Sequence, residues 1–224
     1  MTTMRRLCLM ACSGALAAAI WSTPASAQSA RYALVVAGAS GEEQYAKLHR
    51  EWVDTLTALL KGKFGLDAAH VTVLTEKPAA GESAATAVNV KAALEKIAPL
   101  VKKDDTLFVM LIGHGSGAGN DAKFNLVGPD LTAAEWNALL KPAAGRIAFV
   151  DASSASAGFL KALAGPDRVI VTATNSPAQV YHPFFAGAFI DALGSNAADL
   201  DKDNRVSIWE AFVFASKRVE QHYQ

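Results

Sequence analysis

Two spacings of apolar residues alternate along the chain. Five short runs are apolar at nearly every position and stop at glycine or polar residues, which is typical of strands that are buried on both faces of a sheet. The third run, Thr106-Leu-Phe-Val-Met-Leu-Ile112, is the most apolar of them. We expect strands at Arg31–Ala37, Val71–Thr75, Thr106–Ile112, 146–150 and Arg168–Thr172.

The segments between these runs repeat apolar residues at steps of three and four, which places those residues on one face of a helix. Thr132 and Glu135 have the spacing of a capping box, in which each side chain bonds the backbone amide of the other at the start of a helix. Residues 78–87 are small or polar and predict a loop. We expect helices at 45–63, 90–101, 133–140, 156–163, 183–193 and 207–221.

The order of these elements predicts the fold class. Strands separated by helices form parallel sheets, because the connecting helix returns the chain to the same end of the sheet. Apolar residues on both faces of each strand require a helix layer on both sides. We therefore expect an α/β protein, a three-layer α/β/α sandwich with a mainly parallel sheet, formed as one domain by residues 28–224.

The first 27 residues have the three parts of a secretory signal peptide. Arg5 and Arg6 precede an apolar run at 7–20, and small residues lead to Ala27. We expect this segment to be removed and the mature protein to be periplasmic or secreted. No later run approaches the roughly 20 apolar residues that a spanning helix needs, so we expect no membrane span.

Charge and cysteine content exclude several function classes. The chain has 21 basic and 21 acidic residues, and loss of the signal peptide removes two arginines, which leaves a net charge near −2. This balance does not favour nucleic-acid binding, which needs a basic surface. Both cysteines, Cys8 and Cys12, lie in the signal peptide. The mature protein therefore has no disulfide, thiolate metal ligand or cysteine nucleophile.

Three polar or glycine-rich loops follow predicted strands, at 38–41, 113–117 and 151–156. In an open parallel sheet, ligands bind beyond the carboxyl ends of the strands. The three loops are thus the candidate functional region of the sheet.

These loops resemble the caspase/legumain superfamily of cysteine peptidases, and within it a bacterial legumain-like branch. The resemblance covers residues 31–174. It rests on Val36-Ala-Gly-Ala-Ser-Gly41 with Tyr45, Leu111-Ile-Gly-His-Gly-Ser116, Asp151-Ala-Ser153 and Thr172-Ala-Thr-Asn175. It implies a caspase/legumain-like fold with His114 as the catalytic histidine and Gly115 as the amide of the oxyanion hole. Ser153 stands where the family has its nucleophilic cysteine.

Serine at this position predicts loss of peptidase activity. A thiol with a pKa near ~8.5 reaches a useful thiolate population beside a histidine, whereas a hydroxyl needs a base in close hydrogen-bond contact. The family does not arrange its histidine and nucleophile as such a relay. The chain also has Ala155-Ser156 where the family usually continues with Ser-Gly. We expect His114 and Ser153 to face each other across a shallow cleft, in an inactive homologue that binds a peptide or protein ligand.

Three alternatives use the same loops differently. The first is an active peptidase-like hydrolase that uses His114 and Ser153. The second is a serine hydrolase with Ser154-Ala-Ser-Ala-Gly158 as a degenerate nucleophile elbow and His182 or His222 as its base. The third is a dinucleotide site at Gly38-Ala-Ser-Gly41, which lacks the third glycine because Gln44 stands there.

A second motif, independent of the first, predicts a calcium site. Residues 199–210 match the twelve-residue EF-hand loop, which supplies oxygen ligands at fixed positions to Ca²⁺. Predicted helices flank the loop on both sides, so we expect an EF-hand-type helix–loop–helix in which the metal fixes the last helix. Asn204 replaces the usual glycine at position six and tolerates the left-handed conformation. The expected ligands are Asp199, Asp201, Asp203, the Arg205 carbonyl, Ser207 and Glu210.

Overall fold

The computed structural model of the protein describes residues 29–179 and 184–224. A six-stranded sheet runs through its centre, and every neighbouring pair of strands in that sheet is parallel. The predicted signal peptide at 1–27 and His182 lie outside the described residues. The strands are β1 (Arg31–Ala37), β2 (Val71–Thr75), β3 (Ser83–Ala84), β4 (Thr106–Ile112), β5 (Gly115–Ser116), β6 (Lys123–Phe124), β7 (Leu131–Thr132), β8 (Arg146–Asp151) and β9 (Arg168–Thr172).

The spatial order of the central sheet is β3-β2-β1-β4-β8-β9, so β1 and β4 lie at its middle. Residues 33–37 and 107–112 of these two strands are buried because helices cover both faces. The short strands β5, β6 and β7 form a separate antiparallel sheet after β4. The helices are α1 (Glu43–Lys61), α2 (Ala87–Ile97), α3 (Ala133–Leu140), α4 (Ala157–Leu163), α5 (Phe185–Gly194) and α6 (Ile208–His222).

The helices form one layer on each face of the sheet. On one face α1, α5 and α6 enclose a core that includes Val35, Met110 and Phe189. On the other face α2, α3 and α4 enclose a core that includes Trp136 and Phe149. Alternate residues of each strand belong to opposite cores, as the pleat requires. The expected α/β class, with a parallel sheet between helix layers, is confirmed.

The predicted strands and helices differ from the structure mainly at their ends. Strands β1, β2, β4 and β9 have the predicted bounds. The predicted helix 90–101 instead begins at Ala87, where Thr86 accepts a hydrogen bond from the Asn89 amide as a cap, and ends at Ile97. Pro99 lies in the 3₁₀ turn that follows, because proline lacks an amide hydrogen and does not continue an α-helix.

The predicted loop 78–87 contains β3, which pairs with the end of β2. Two residues are too few for the periodicity that identifies a strand in a sequence. Within residues 29–179 and 184–224, no helix has both the length and the apolar character needed to cross a membrane.

Candidate functional site

The loops after β4 and β8 lie at the same edge of the sheet. These strands pair in parallel from Thr106 with Arg146 to Leu111 with Asp151, so His114 and Ser153 follow neighbouring carboxyl ends. The Ala152 amide donates to the Leu111 carbonyl and holds the start of the second loop against β4. The structure therefore brings the two segments of the predicted peptidase site together.

Ser153 does not line an open cleft, which corrects the expectation from the sequence. Its side chain is fully buried. Its hydroxyl donates to Asp151 Oδ1 at 2.5 Å, and its backbone amide donates to the same oxygen at 3.0 Å. This closed turn forms because an aspartate at the end of a strand can accept bonds from the residue two positions later. The hydroxyl proton of Ser153 is thus directed to its own strand.

Asp151 is a candidate functional residue to which the sequence analysis gives no role. It is fully buried, and burial raises the pKa of its carboxyl to about 7, although the two bonds from Ser153 act in the opposite direction. Its second oxygen, Oδ2, has no hydrogen-bond partner among the described residues. A buried carboxyl in this state favours its neutral form. The signal in the sequence was an acidic residue at the end of an otherwise apolar strand.

Gly115 is required by the close approach of neighbouring backbone. A Cβ atom at this position would overlap the Ser154 carbonyl oxygen and lie 2.9 Å from the Lys123 carbonyl oxygen. The Gly115 amide, the predicted oxyanion donor, donates to Ser154 Oγ at 3.2 Å. In this arrangement the Ser154 hydroxyl is the acceptor for the Gly115 amide.

His114 lies against helix α1. Its ring meets the edge of Tyr45 at a centroid distance of 5.4 Å and lies 6.2 Å from the ring of His49. Tyr45 belongs to the sequence pattern of the resemblance, whereas His49 does not. His49 is buried and completes an aromatic group on α1 beside the β4 loop.

The residues of the serine-hydrolase alternative are also engaged in packing. Ser156 is buried, forms a hydrogen bond with Thr174 Oγ1 at 3.1 Å and accepts one from the Thr174 amide at 3.2 Å. His222, near the end of α6, stacks on Phe184 at a centroid distance of 4.2 Å. The structure gives Ser156 a local role in joining the loops after β8 and β9.

The dinucleotide alternative depended on the glycines after β1. A Cβ atom on Gly38 would overlap the Asn125 carbonyl oxygen, and the Ala39 amide donates to that same oxygen at 3.1 Å. The close approach that requires glycine here is to the protein's own backbone. Packing within the protein therefore accounts for the glycine in this loop without a bound phosphate.

The acidic loop between α5 and α6 brings three of the predicted metal ligands together. One carboxylate oxygen from each of Asp199, Asp201 and Asp203 lies within 4.8 Å of the others. Backbone bonds shape the loop: Asn204 donates its amide to Asp199 Oδ2, Asp203 to Asp201 Oδ1, and Arg205 to Asp203 Oδ1. Asn204 has a φ of 66°, the left-handed conformation that position six requires.

Asp199 is the most unusual member of this cluster. Its side chain is only 7 % exposed, and its Oδ1 atom has no hydrogen-bond partner among the described residues. A buried carboxylate oxygen without a partner is costly, and two more carboxylates nearby add repulsion. Lys202 places its ammonium on the Asp199 carbonyl at 2.9 Å, which offsets part of this negative charge.

Glu210 is not a member of this cluster of three carboxylates, although the sequence predicts it as a ligand. Its Oε2 accepts bonds from the amide and hydroxyl of Ser207, and its Oε1 accepts from the Leu200 and Asp201 amides. These bonds, led by the Ser207 amide, lower the pKa of Glu210 to about 2. Ser207 in turn accepts from the Glu210 amide, so both residues form a capping box at the start of α6.

No family model matches the chain, and no curated protein matches it. Among solved structures, the chain is similar to a structural-genomics target protein from Geobacter sulfurreducens, with 21 % sequence identity and a TM-score of 0.44. The similarity covers 56 % of this chain and spans about half, 50 %, of that structure.

Proposed function

We propose that this protein is an exported calcium-binding protein of caspase/legumain-like fold whose peptidase site is degenerate. The observation that supports calcium binding best is Asp199 Oδ1, a buried oxygen without a hydrogen-bond partner in a cluster of three carboxylates. Ca²⁺ is a hard cation that takes six to eight oxygen ligands. It would satisfy this oxygen and remove the repulsion among the three aspartates.

The remaining ligands come from the second half of the loop. Asp199, Asp201 and Asp203 would hold the ion first, together with the Arg205 carbonyl and Ser207. Glu210 would join them only by breaking the hydrogen bonds with which it caps α6. We expect the loss of these bonds to reduce the net affinity for Ca²⁺. Because α6 packs against α5, the ion would fix the last helix as a structural staple in an EF-hand-type arrangement.

Thermal unfolding tests calcium binding. With free Ca²⁺ at one hundred times its dissociation constant, mass action adds about 2.7 kcal/mol to the free energy of unfolding, or roughly 5–10 °C in Tm. Asp199→Asn should abolish this shift, whereas Asp104→Asn, on an exposed loop, should keep it. Equal melting curves of the wild-type protein in Ca²⁺ and in chelator would contradict the proposal.

Loss of catalysis is supported by the environment of Ser153. Its hydroxyl is buried and bonded to Asp151, and the Gly115 amide is bonded to Ser154. An attacking oxygen needs access to the substrate and a base within hydrogen-bond reach. We infer that the fold acts through a peptide or protein ligand and catalyses no reaction with these groups.

A peptidase assay on a broad peptide library tests this second part. The wild-type protein should show no turnover, and Ser153→Cys is the substitution with the best prospect of creating some, because a thiol ionises more readily. Wild-type turnover that is lost in both Ser153→Ala and His114→Ala would instead support the active-hydrolase alternative.

A further inference from the structure

A groove follows the outer edge of the sheet, between α4 and the start of α6. Strand β9 forms its floor, and it is the last strand of the central sheet among the described residues. Leu160 of α4 lies on one side and Trp209 of α6 on the other. The cavity has a volume of about 510 Å³. Helices from both layers therefore extend beyond the edge of the strand.

The floor of the groove presents backbone hydrogen-bonding groups. The Asp167 carbonyl accepts from the Ile147 amide, and the Ala173 amide donates to the Asp151 carbonyl, both across to β8. Backbone groups alternate in direction along a strand, so those of Arg168, Ile170 and Thr172 point away from β8. An exposed row of this kind is a template for an added strand.

The side chains around this edge are apolar and exposed. Leu160 is 51 % exposed, Val169 52 % and Trp209 67 %. Among the described residues that line the groove, none carries a charge. The guanidinium of Arg168, the charged residue of β9, donates to Asn137 at 2.7 Å and to the Leu163 carbonyl at 3.1 Å. The edge thus lacks the lysine or proline that commonly protects such strands from pairing.

We propose that this groove binds an extended, uncharged polypeptide segment, which adds to β9 as a further strand. The inference rests on the peptide-binding part of the proposed function and gives the ligand a location. A single extended chain continues the sheet layer between α4 and α6. A second copy that adds its own β9 to this edge is the alternative occupant, and it would be detected as a dimer.

The groove also defines the chemistry of this ligand. Five residues of β9 extend about 16 Å, so the paired segment is about four to five residues long. Its alternate side chains would contact Leu160 on one face and Val169 with Trp209 on the other. The uncharged lining favours β-branched or small side chains and disfavours charged ones, because a charge would lose its hydration there without gaining a partner.

A defined peptide tests the inference. The probe is the capped, fluorescently labelled peptide Ser-Thr-Val-Thr-Val-Thr-Ser, measured by anisotropy against the mature protein. We expect saturable binding with a change in Trp209 fluorescence. The peptide Ser-Thr-Pro-Pro-Val-Thr-Ser lacks two successive amide donors, one of which would face β9 in either register, and should bind at least about tenfold more weakly.

Variants of the protein locate the binding. Val169→Lys and Leu160→Lys place a charge on the floor and on one wall, and each should weaken binding at least about tenfold. Both positions are exposed, so circular dichroism should show an unchanged fold. Val88→Lys is the matched control, because Val88 is 75 % exposed on α2, outside the groove, and this variant should bind as the wild type does.

Several results would overturn the inference. Equal binding of the two peptides, or no saturable binding, would exclude strand addition at β9. If binding persists in both lysine variants but is lost in His114→Ala, the groove is not the peptide site. The proposal that this protein binds a peptide would then still stand. Sedimentation of the wild type as a dimer that Val169→Lys dissociates would assign the edge to a second copy.

Discussion

Asp151 and Ser153 form a buried, hydrogen-bonded pair at the end of β8. Such a pair is stable only if the carboxyl keeps its proton or is fully solvated by hydrogen bonds. Here Asp151 Oδ1 accepts two bonds and Oδ2 none among the described residues, and the pKa of the carboxyl is raised to about 7. The pair therefore makes the stability of the protein depend on pH near neutrality.

We predict that Asp151→Asn removes this dependence. A raised pKa means that the folded protein favours the protonated carboxyl. The stability that Asp151 contributes is therefore complete below the unfolded pKa of about 3.9, and it is lost as the pH rises through about 7. Asparagine keeps an acceptor for Ser153 and does not ionise. Between pH 4 and pH 8, the free energy of unfolding of Asp151→Asn should rise relative to that of the wild type by on the order of 1–4 kcal/mol.

Urea unfolding of both proteins across this pH range measures the difference. Ser153→Ala is the control, because it removes the hydroxyl and leaves Asp151 able to ionise. Parallel stability curves for the wild type and Asp151→Asn would show that Asp151 is ionised in the folded protein throughout the range.

At the level of elements, helix α3 is fixed by the capping box that the sequence predicted. Thr132 accepts a bond from the Glu135 amide at 3.2 Å, and Glu135 accepts from the Thr132 amide at 2.9 Å. The helix has eight residues and carries Trp136 and Leu140 into the core. A helix this short gains little from propensity alone, so its cap and its packing supply most of its stability.

We predict that Thr132→Ala lowers the free energy of unfolding by about 1 kcal/mol, within a range of roughly 0.5–2 kcal/mol, because the first-turn amide loses its acceptor. Thr132→Ser keeps a hydroxyl at the same position and should lie close to wild type. Denaturant unfolding in chelator measures both variants without any contribution from metal. Equal losses in the two variants would show that the threonine methyl group is what matters.

A strand can be predicted from the sequence when it is long enough to show a continuous apolar run. Strands β1, β2, β4 and β9 were identified at their observed bounds because each is a continuous apolar run bounded by polar residues or glycine. Strands β3 and β5 to β7 have two residues each, which is too short for an alternating or continuous apolar pattern to identify them. At the start of α6, Glu210 fits both the calcium pattern and the capping pattern, so the sequence alone does not decide between these two roles.

The candidate site shows the same division. Residue types and spacing placed the β4 and β8 loops at one edge and gathered the three aspartates of the acidic loop. They could not give the direction of a side chain. Whether Ser153 faces a cleft or Asp151 depends on burial by the surrounding layers, which only the folded structure supplies.

At the scale of the whole molecule, three features lie at separate places around one sheet. The loops that hold His114 and Ser153 are beyond the carboxyl ends of β4 and β8, the groove follows β9, and the acidic loop precedes α6. Helix α6 connects the last two, because Trp209 lines the groove one residue before Glu210. In our account the bound ion holds α6 in place, so the acidic loop is the feature on which the proposed function most depends.

Isothermal titration of Ca²⁺ into the metal-free mature protein tests this account most directly. We predict saturable binding of one ion per chain, loss of that binding in Asp199→Asn, and binding equal to wild type in Asp104→Asn. Absence of saturable binding to the wild type, or undiminished binding to Asp199→Asn, would contradict the account, because the buried Asp199 oxygen would then have no metal to satisfy it.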